Sequence, residues 1–134
     1  MKCSSLDARG YFLLGMRVFF GIWILYGGLV KWVMFGASPF VAMICTDFDK
    51  TWSPHALNVV LSWIILIGEP LLGVWLLSGK CQRSAWTAGT LLMFMLTLGQ
   101  TILMKPDVIA NWQFTVLTLV CAALSPAKTE TAAA

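Results

Sequence analysis

Long apolar runs limit what this chain can fold into more than any other feature of its sequence. A helix needs about 20 consecutive, mostly apolar residues to cross the hydrocarbon core of a bilayer. Four such segments lie near residues 11–35, 56–78, 84–104 and 108–124. Only 11% of the 134 residues are charged, and the apolar surplus is too large to hide inside a water-soluble core of this size. The sequence therefore predicts an all-α membrane protein, folded as an antiparallel bundle of four transmembrane helices.

Serine–proline pairs divide the long loop after the first helix. A capping hydroxyl followed by proline at the first helical position is typical of helix starts. Ser53-Pro54 therefore predicts the start of the second transmembrane helix. Ser38-Pro39 predicts a short helix over residues 40–45, which we place at the membrane surface in the first outer loop.

Basic residues in the loops set the expected orientation, because cytoplasmic loops carry an excess of lysine and arginine. With the N-terminus inside, the cytoplasmic set is Lys2, Arg9, Lys80, Arg83 and Lys128. The outer set combines two lysines with three acidic residues: Lys50, Lys105, Asp47, Asp49 and Asp107. The sequence thus predicts a single integral membrane domain with both termini in the cytoplasm and residues 125–134 as a flexible tail.

Three charged residues fall inside or at the edge of the predicted membrane segments: Arg17, Lys31 and Glu69. A charge near mid-bilayer costs about 2.5–3.5 kcal/mol on insertion scales, so it persists when it is paired or has a function. Depths counted along the helices bring Arg17 within reach of Glu69, whereas Lys31 lies near the outer surface and can snorkel. Pro70 cannot donate to the carbonyl of Leu66, which predicts a kink and a free acceptor beside the carboxylate.

Two interpretations of an Arg17–Glu69 pair stay open at this point. The first is a structural ion pair that fixes the register of two helices. The second is a proton or ligand site inside the bundle, since ionisable groups within membranes often serve such roles.

Small and polar residues recur on one face of each predicted helix. At about 100° per residue, one narrow face of the first helix carries Arg17, Gly21, Gly28 and Lys31. Candidate polar lining residues on the other helices are Asn58, Ser62, Thr97, Asn111 and Thr115. In lipid, small residues let helices approach, and hydroxyl or amide groups bond across the contact. These faces are expected to point inward, and packing alone is sufficient reason for them.

The charged and glycine positions resemble a family pattern. Helix 1 reads R-V-F-F-G-I-W-I-L-Y-G-G-L-V-K, and helix 2 reads G-E-P-L-L-G-V-W-L-L-S-G. Over roughly residues 12–124 the chain resembles the DoxX family of small bacterial and archaeal membrane proteins. The family's arginine–glycine–glycine–lysine spacing and its Glu-x-x-x-Gly segment with a following glycine turn fall on Arg17, Gly21, Gly28, Lys31, Glu69, Gly73 and Gly79.

The DoxX resemblance implies a four-helix bundle in a bacterial inner membrane. Members of the family are associated with membrane redox systems, some as subunits of sulfur-related quinone oxidoreductases. The resemblance therefore implies an accessory subunit of a membrane redox complex, with quinone as a candidate ligand and other membrane or peripheral redox subunits as partners.

Several kinds of chemistry have no support in the sequence. It holds no phosphate-binding glycine loop, zinc-protease motif or nucleophile elbow, and no basic stripe typical of nucleic-acid binding. His55 is the only histidine, so one chain cannot supply bis-histidine haem ligation, and we expect no metal or cofactor bound by the chain alone. Three cysteines fall near the inner face of the membrane: Cys3, Cys81 and Cys121. They could form a thiol cluster or be ordinary reduced thiols, and Cys45 lies alone on the outer side.

Three functions follow from these observations. The first is the accessory redox subunit, without catalytic activity of its own. The second is a structural or assembly subunit of a larger membrane complex. The third is a small proton-coupled carrier with Glu69 as the titrating group, which would have to form homo-oligomers because four helices are few for a transporter.

Overall fold

The computed structural model describes residues 7–126, and the regular structure within this range is entirely helical. The helices are α1 (Ala8–Val30), which continues as a π-helical turn (Lys31–Phe35), α2 (Ala37–Phe48), α3 (His55–Ser78), α4 (Gln82–Ile102) and α5 (Val108–Leu124). Lys2, Cys3, Lys128 and residues 127–134 of the predicted tail lie outside the described residues.

Three helical segments are long and apolar enough to cross a membrane: Ala8–Phe35, His55–Ser78 and Gln82–Ile102. Two shorter apolar helices accompany them, α2 with 12 residues and α5 with 17 residues. The predicted helical segments are therefore present as helices, and three of them have the length and composition of membrane spans.

The helix starts differ in detail from the serine–proline prediction. The structure begins α2 at Ala37, directly after Gly36 with its positive φ of 78°, so the helix is longer than residues 40–45. The N-cap of α3 is Pro54, and no side chain caps it. The Ser53 hydroxyl instead donates to Oδ1 of Asn58 at 2.5 Å. Neither serine caps its helix, so the capping prediction is wrong, although the second break falls where it was expected.

The long helices form an up-and-down arrangement in which neighbours run antiparallel. Helix α1 packs most extensively on α3, and α4 packs most extensively on α5, while α3 and α4 are joined by the short turn at Gly79. Helix α2 packs on α3 beside the π-helical turn. Contacts between α1 and α5 complete the ring of four helices.

The two ends of this ring are packed differently. We call the end that holds Arg17 and the Gly79 turn the Arg17 end, and the end that holds Lys31 and α2 the Lys31 end. An aromatic cluster fills the ring towards the Arg17 end: Phe20 is fully buried, with its ring 5.9 Å from that of Trp86 and 5.5 Å from that of Phe114. This cluster therefore fills the interior of the ring towards the Arg17 end, and the unfilled space between the helices lies towards the Lys31 end.

Candidate functional site

A buried ion pair joins α1 to α3 towards the Lys31 end. The Lys31 ammonium donates to both carboxylate oxygens of Glu69. The Glu69 side chain is 8% exposed and that of Lys31 24% exposed. The ammonium also lies over the ring of Phe40 on α2, 5.4 Å from its centroid. Two charges with so little access to water are costly unless each compensates the other, so this pair is the first candidate for a functional site.

Close approach of α1 and α3 explains why the pair forms here. A Cβ on Gly28 would lie 2.6 Å from Cδ and 2.9 Å from the backbone nitrogen of Pro70, so only glycine permits the contact. The same virtual Cβ would lie 3.2 Å from the Cβ of Glu69. Lys31 follows three residues later on the same helix face, which places its side chain over the glutamate.

Pro70 changes the hydrogen bonding around the carboxylate. It lies inside α3 and has no N–H to donate to the carbonyl of Leu66. The indole N–H of Trp32 donates to that carbonyl at 2.9 Å. The sequence predicted a free acceptor at this point, and the structure satisfies it from α1. The contact adds a second polar link between α1 and α3 one residue after Lys31.

Arg17 does not take part in this site. The register of α1 on α3 brings its guanidinium to Gly79, where a Cβ would lie 2.5 Å from Nη1. Gly79 follows the last residue of α3 and is ten residues beyond Glu69, roughly 15 Å along the helix axis at 1.5 Å per residue. The Arg17–Glu69 pairing considered from the sequence is therefore wrong, and Lys31 turns inward instead of snorkelling to the surface.

A cavity of about 380 Å³ lies on the α2 side of the ion pair. Its walls are mainly apolar and come from α2, α3 and α4, with Lys31 at its border. Polar groups lie at a few places on these walls: Ser53, Asn58, Ser62, Gln100 and Lys105. Apolar walls with a few fixed polar groups, in a volume above about 300 Å³, are typical of sites for small organic molecules.

A second cavity of about 360 Å³ lies on the other side of the pair, between α1 and the α4–α5 pair. Both Lys31 and Glu69 line it. Its α1 wall includes Trp23, Tyr26 and Gly27, and Asn111 contributes from α5. Lys31 borders both cavities, as do Leu96 and Gln100, so the two spaces lie next to each other with these three residues between them.

The polar residues singled out from the sequence occupy three places in the ring. Asn58 and Ser62 are buried on α3, where the Ser62 hydroxyl donates to the carbonyl of Asn58 at 2.7 Å. On the facing helices, the hydroxyls of Thr97 and Thr115 lie 3.0 Å apart and link α4 to α5. Nearer the Lys31 end, the amide of Asn111 donates to Gln100 at 2.6 Å. The first group lines the first cavity, while the threonine pair serves helix packing.

The three cysteines and the histidine that the structure describes form no metal-binding cluster. Within residues 7–126, no group of three or more metal-ligating side chains comes together. Cys45 and Cys121 are buried and Cys81 is exposed on the α3–α4 turn. Burial, with a smaller effect from Asp49, raises the pKa of the Cys45 thiol, which lowers the fraction present as thiolate at neutral pH. His55 lies on the surface 3.2 Å from Asp49.

The candidate site contains residues that sequence reasoning did not connect. Lys31 was on the helix 1 face that the spacing identified, but its depth pointed to the surface. Gln100, Phe40 and Trp32 had no signal of their own, because their roles depend on which helices are neighbours. No protein-family model, curated protein or solved structure matches this chain. The geometry of the site therefore carries the functional argument.

Proposed function

We propose that this protein is an accessory subunit of a membrane-bound redox complex and that it binds a quinone at the Lys31–Glu69 pair. The observation that supports this proposal best is the position of the pair: both residues line the mainly apolar second cavity, and Lys31 also borders the first. The DoxX-like helix 1 and helix 2 motifs, which carry both charged residues, support the link to redox systems.

The chemistry of the pair suits both forms of such a ligand. A quinone presents carbonyl oxygens, which accept hydrogen bonds, and the Lys31 ammonium has three N–H donors. A quinol presents hydroxyl groups, which donate, and the Glu69 carboxylate only accepts when ionised. The apolar walls suit the ring and the isoprenoid tail. The chain binds and positions the quinone, and its redox partner supplies the electron transfer.

The membrane arrangement is part of the same proposal. Helices α1, α3, α4 and α5 cross the bilayer, with the 17 residues of α5 extending roughly 26 Å at 1.5 Å per residue. The 12 residues of α2 are too short to cross and lie at the outer interface. The Arg17 end faces the cytoplasm of a bacterial cell, because Arg9, Arg17, Lys80 and Arg83 gather there.

Orientation is tested with a membrane-impermeant maleimide on a variant that keeps Cys81 alone. The thiol is exposed on the turn at the Arg17 end, so we expect labelling in inverted membrane vesicles and none in intact cells. Labelling in intact cells would reverse the proposed orientation.

Quinone binding is tested with the purified protein in lipid nanodiscs, using decylubiquinone as the probe and tryptophan quenching as the readout. We expect saturable binding by the wild-type protein and at least tenfold weaker binding after Glu69→Gln or Lys31→Met. Asp49→Asn is the matched control, since it removes a surface carboxylate that lies 3.2 Å from His55 at the same end, and neither of these residues lines a cavity. Absence of saturable binding by the wild-type protein refutes the quinone site.

A structural subunit is the second candidate, because the buried pair and the Trp32–Leu66 hydrogen bond both fix α1 against α3. Gentle purification from the native membrane separates the two. A redox protein bearing haem, flavin or metal, recovered in fixed ratio, supports the accessory redox subunit. A stable complex without any redox group supports the structural subunit.

A further inference from the structure

Gly27 is a glycine that helix packing does not explain. Its neighbour Gly28 lies against α3, as does Gly21, about two turns before Gly28. An added Cβ on these two glycines would meet atoms at 2.6 Å and 2.7 Å, respectively. A Cβ on Gly27 would meet nothing within 4 Å. Glycine inside a helix is less stable than alanine by about 1 kcal/mol. Gly15 and Gly68 have equally open surroundings, but of these three glycines only Gly27 lines a cavity. Gly27 lies on the wall of the second cavity, where the missing side chain leaves space.

The second cavity reaches the outside of the ring beside this glycine. Tyr26, which also lines the cavity, is 67% exposed on the flank of α1. Towards the Arg17 end, the gap between α1 and α5 is closed by Trp23 and Phe114, whose ring centroids lie 4.6 Å apart. The opening is therefore confined to the stretch of α1 between Trp23 and Lys31, on the side of the bundle.

The charged pair lies at the inner end of this opening. Glu69 borders the second cavity, and Lys31 borders both this cavity and the first. A molecule that moves inward past Gly27 therefore reaches a wall that includes the carboxylate and the ammonium. In the bundle orientation proposed above, the sides of α1 and α5 face lipid chains, the medium in which a quinone is dissolved.

We infer that the opening at Gly27 is the lateral route by which a quinone passes from the bilayer to the Lys31–Glu69 pair, and that Gly27 sets the width of this route. The inference rests on the proposed function and adds where the ligand enters. An apolar ligand that enters sideways keeps its tail in hydrocarbon throughout, so it never exposes that tail to water. The route needs a wall without a side chain, and Gly27 provides it.

The test measures how fast decylubiquinone associates with the protein in nanodiscs, by stopped-flow tryptophan quenching. Gly27→Leu places a branched side chain in the opening, and we expect the association rate constant to fall at least tenfold. Gly15→Leu is the matched control, because a Cβ on Gly15 also meets nothing within 4 Å and Gly15 lines neither cavity. Its rate should stay within twofold of the wild type.

Tyr26→Ala provides a second, opposite perturbation, which widens the opening and should raise the association rate. This variant decides the question if Gly27→Leu does not fold, and an unchanged rate would then count against the lateral route. Unchanged association by a folded Gly27→Leu protein overturns the inference while quinone binding stands. Absence of saturable quinone binding by the wild-type protein would instead refute the proposed quinone site itself. A change of oligomeric state in Gly27→Leu would show that a second copy covers this glycine, which also overturns the lateral route.

Discussion

Removing one or both members of the Lys31–Glu69 pair should reveal strong energetic coupling. Lys31→Met leaves the carboxylate, which is 8% exposed, without its cation. Breaking a buried pair costs about 3–5 kcal/mol. We expect about 3 kcal/mol of lost stability, at the lower end, because the lysine side is 24% exposed and the site is not fully dry. Glu69→Leu should cost less, about 2 kcal/mol, because Lys31 keeps the Phe40 ring and can turn towards the open cavity.

The double variant should be close to the wild type in stability. Replacing both charges by apolar side chains of similar volume is often neutral or stabilising, so we expect Lys31→Met/Glu69→Leu to lie within about 1 kcal/mol of the wild-type protein. Because the two single changes together cost about 5 kcal/mol, the coupling energy is then about 4–6 kcal/mol, within the range for close charge pairs that share one buried contact. The measurement is reversible unfolding in mixed micelles with a rising fraction of dodecyl sulfate, followed by circular dichroism.

The control is the exposed pair between Lys105 and Asp47, whose side chains are 2.8 Å apart. Surface pairs contribute about 0–1 kcal/mol, so the same cycle on Lys105→Met and Asp47→Leu should show coupling below about 1 kcal/mol. If the Lys31–Glu69 cycle gave a value as small as this control, the reasoning from burial would be refuted. Strong coupling with unchanged quinone binding would instead favour the structural subunit.

Further predictions concern the packing around the site and one thiol. Gly28→Ala should destabilise the protein by about 1–3 kcal/mol through overpacking against α3, while Gly27→Ala should be neutral or slightly stabilising. Thermal unfolding of both variants in the same detergent checks this prediction, and equal effects would contradict the close contact at Gly28. Trp32→Phe removes the donor to a buried carbonyl and should cost about 1 kcal/mol, whereas the same change at the exposed Trp52 should leave the midpoint unchanged. Alkylation of a variant that keeps Cys45 alone should still accelerate above pH 9, because the raised pKa of this thiol keeps the thiolate scarce at lower pH; a plateau by pH 8 would contradict this.

The sequence predicted the helices and their inward faces, but it did not predict which residues of neighbouring helices meet. The long apolar runs can be read directly from the sequence, and they predicted the long helices of the described residues. The face of helix 1 was also readable, because a 3.6-residue period places Arg17, Gly21, Gly28 and Lys31 on one side whatever the partner is. In the structure all four contact or approach α3.

The partner of each charged residue was decided by tertiary structure. The depth of a charged residue in the membrane was counted from a predicted helix end, so any error in that end shifts the depth. A pairing between two helices combines the errors of both. Asp7 caps α1 through Gly10, so the helix begins at Ala8 and not near residue 11. The register of α1 on α3 is set by where glycines allow contact, and this places Glu69 beside Lys31.

The sequence by itself determined that the chain is helical, that several helices are apolar enough to enter a bilayer, and which residues carry charge within them. These properties depend on composition and on periodicity along one helix, and both are local. The ion pair of Lys31 with Glu69, the indole bond to Leu66 and the two cavities depend on distances between helices. Only the packing of α1 on α3, with glycine in place of a side chain at Gly28, decides those distances.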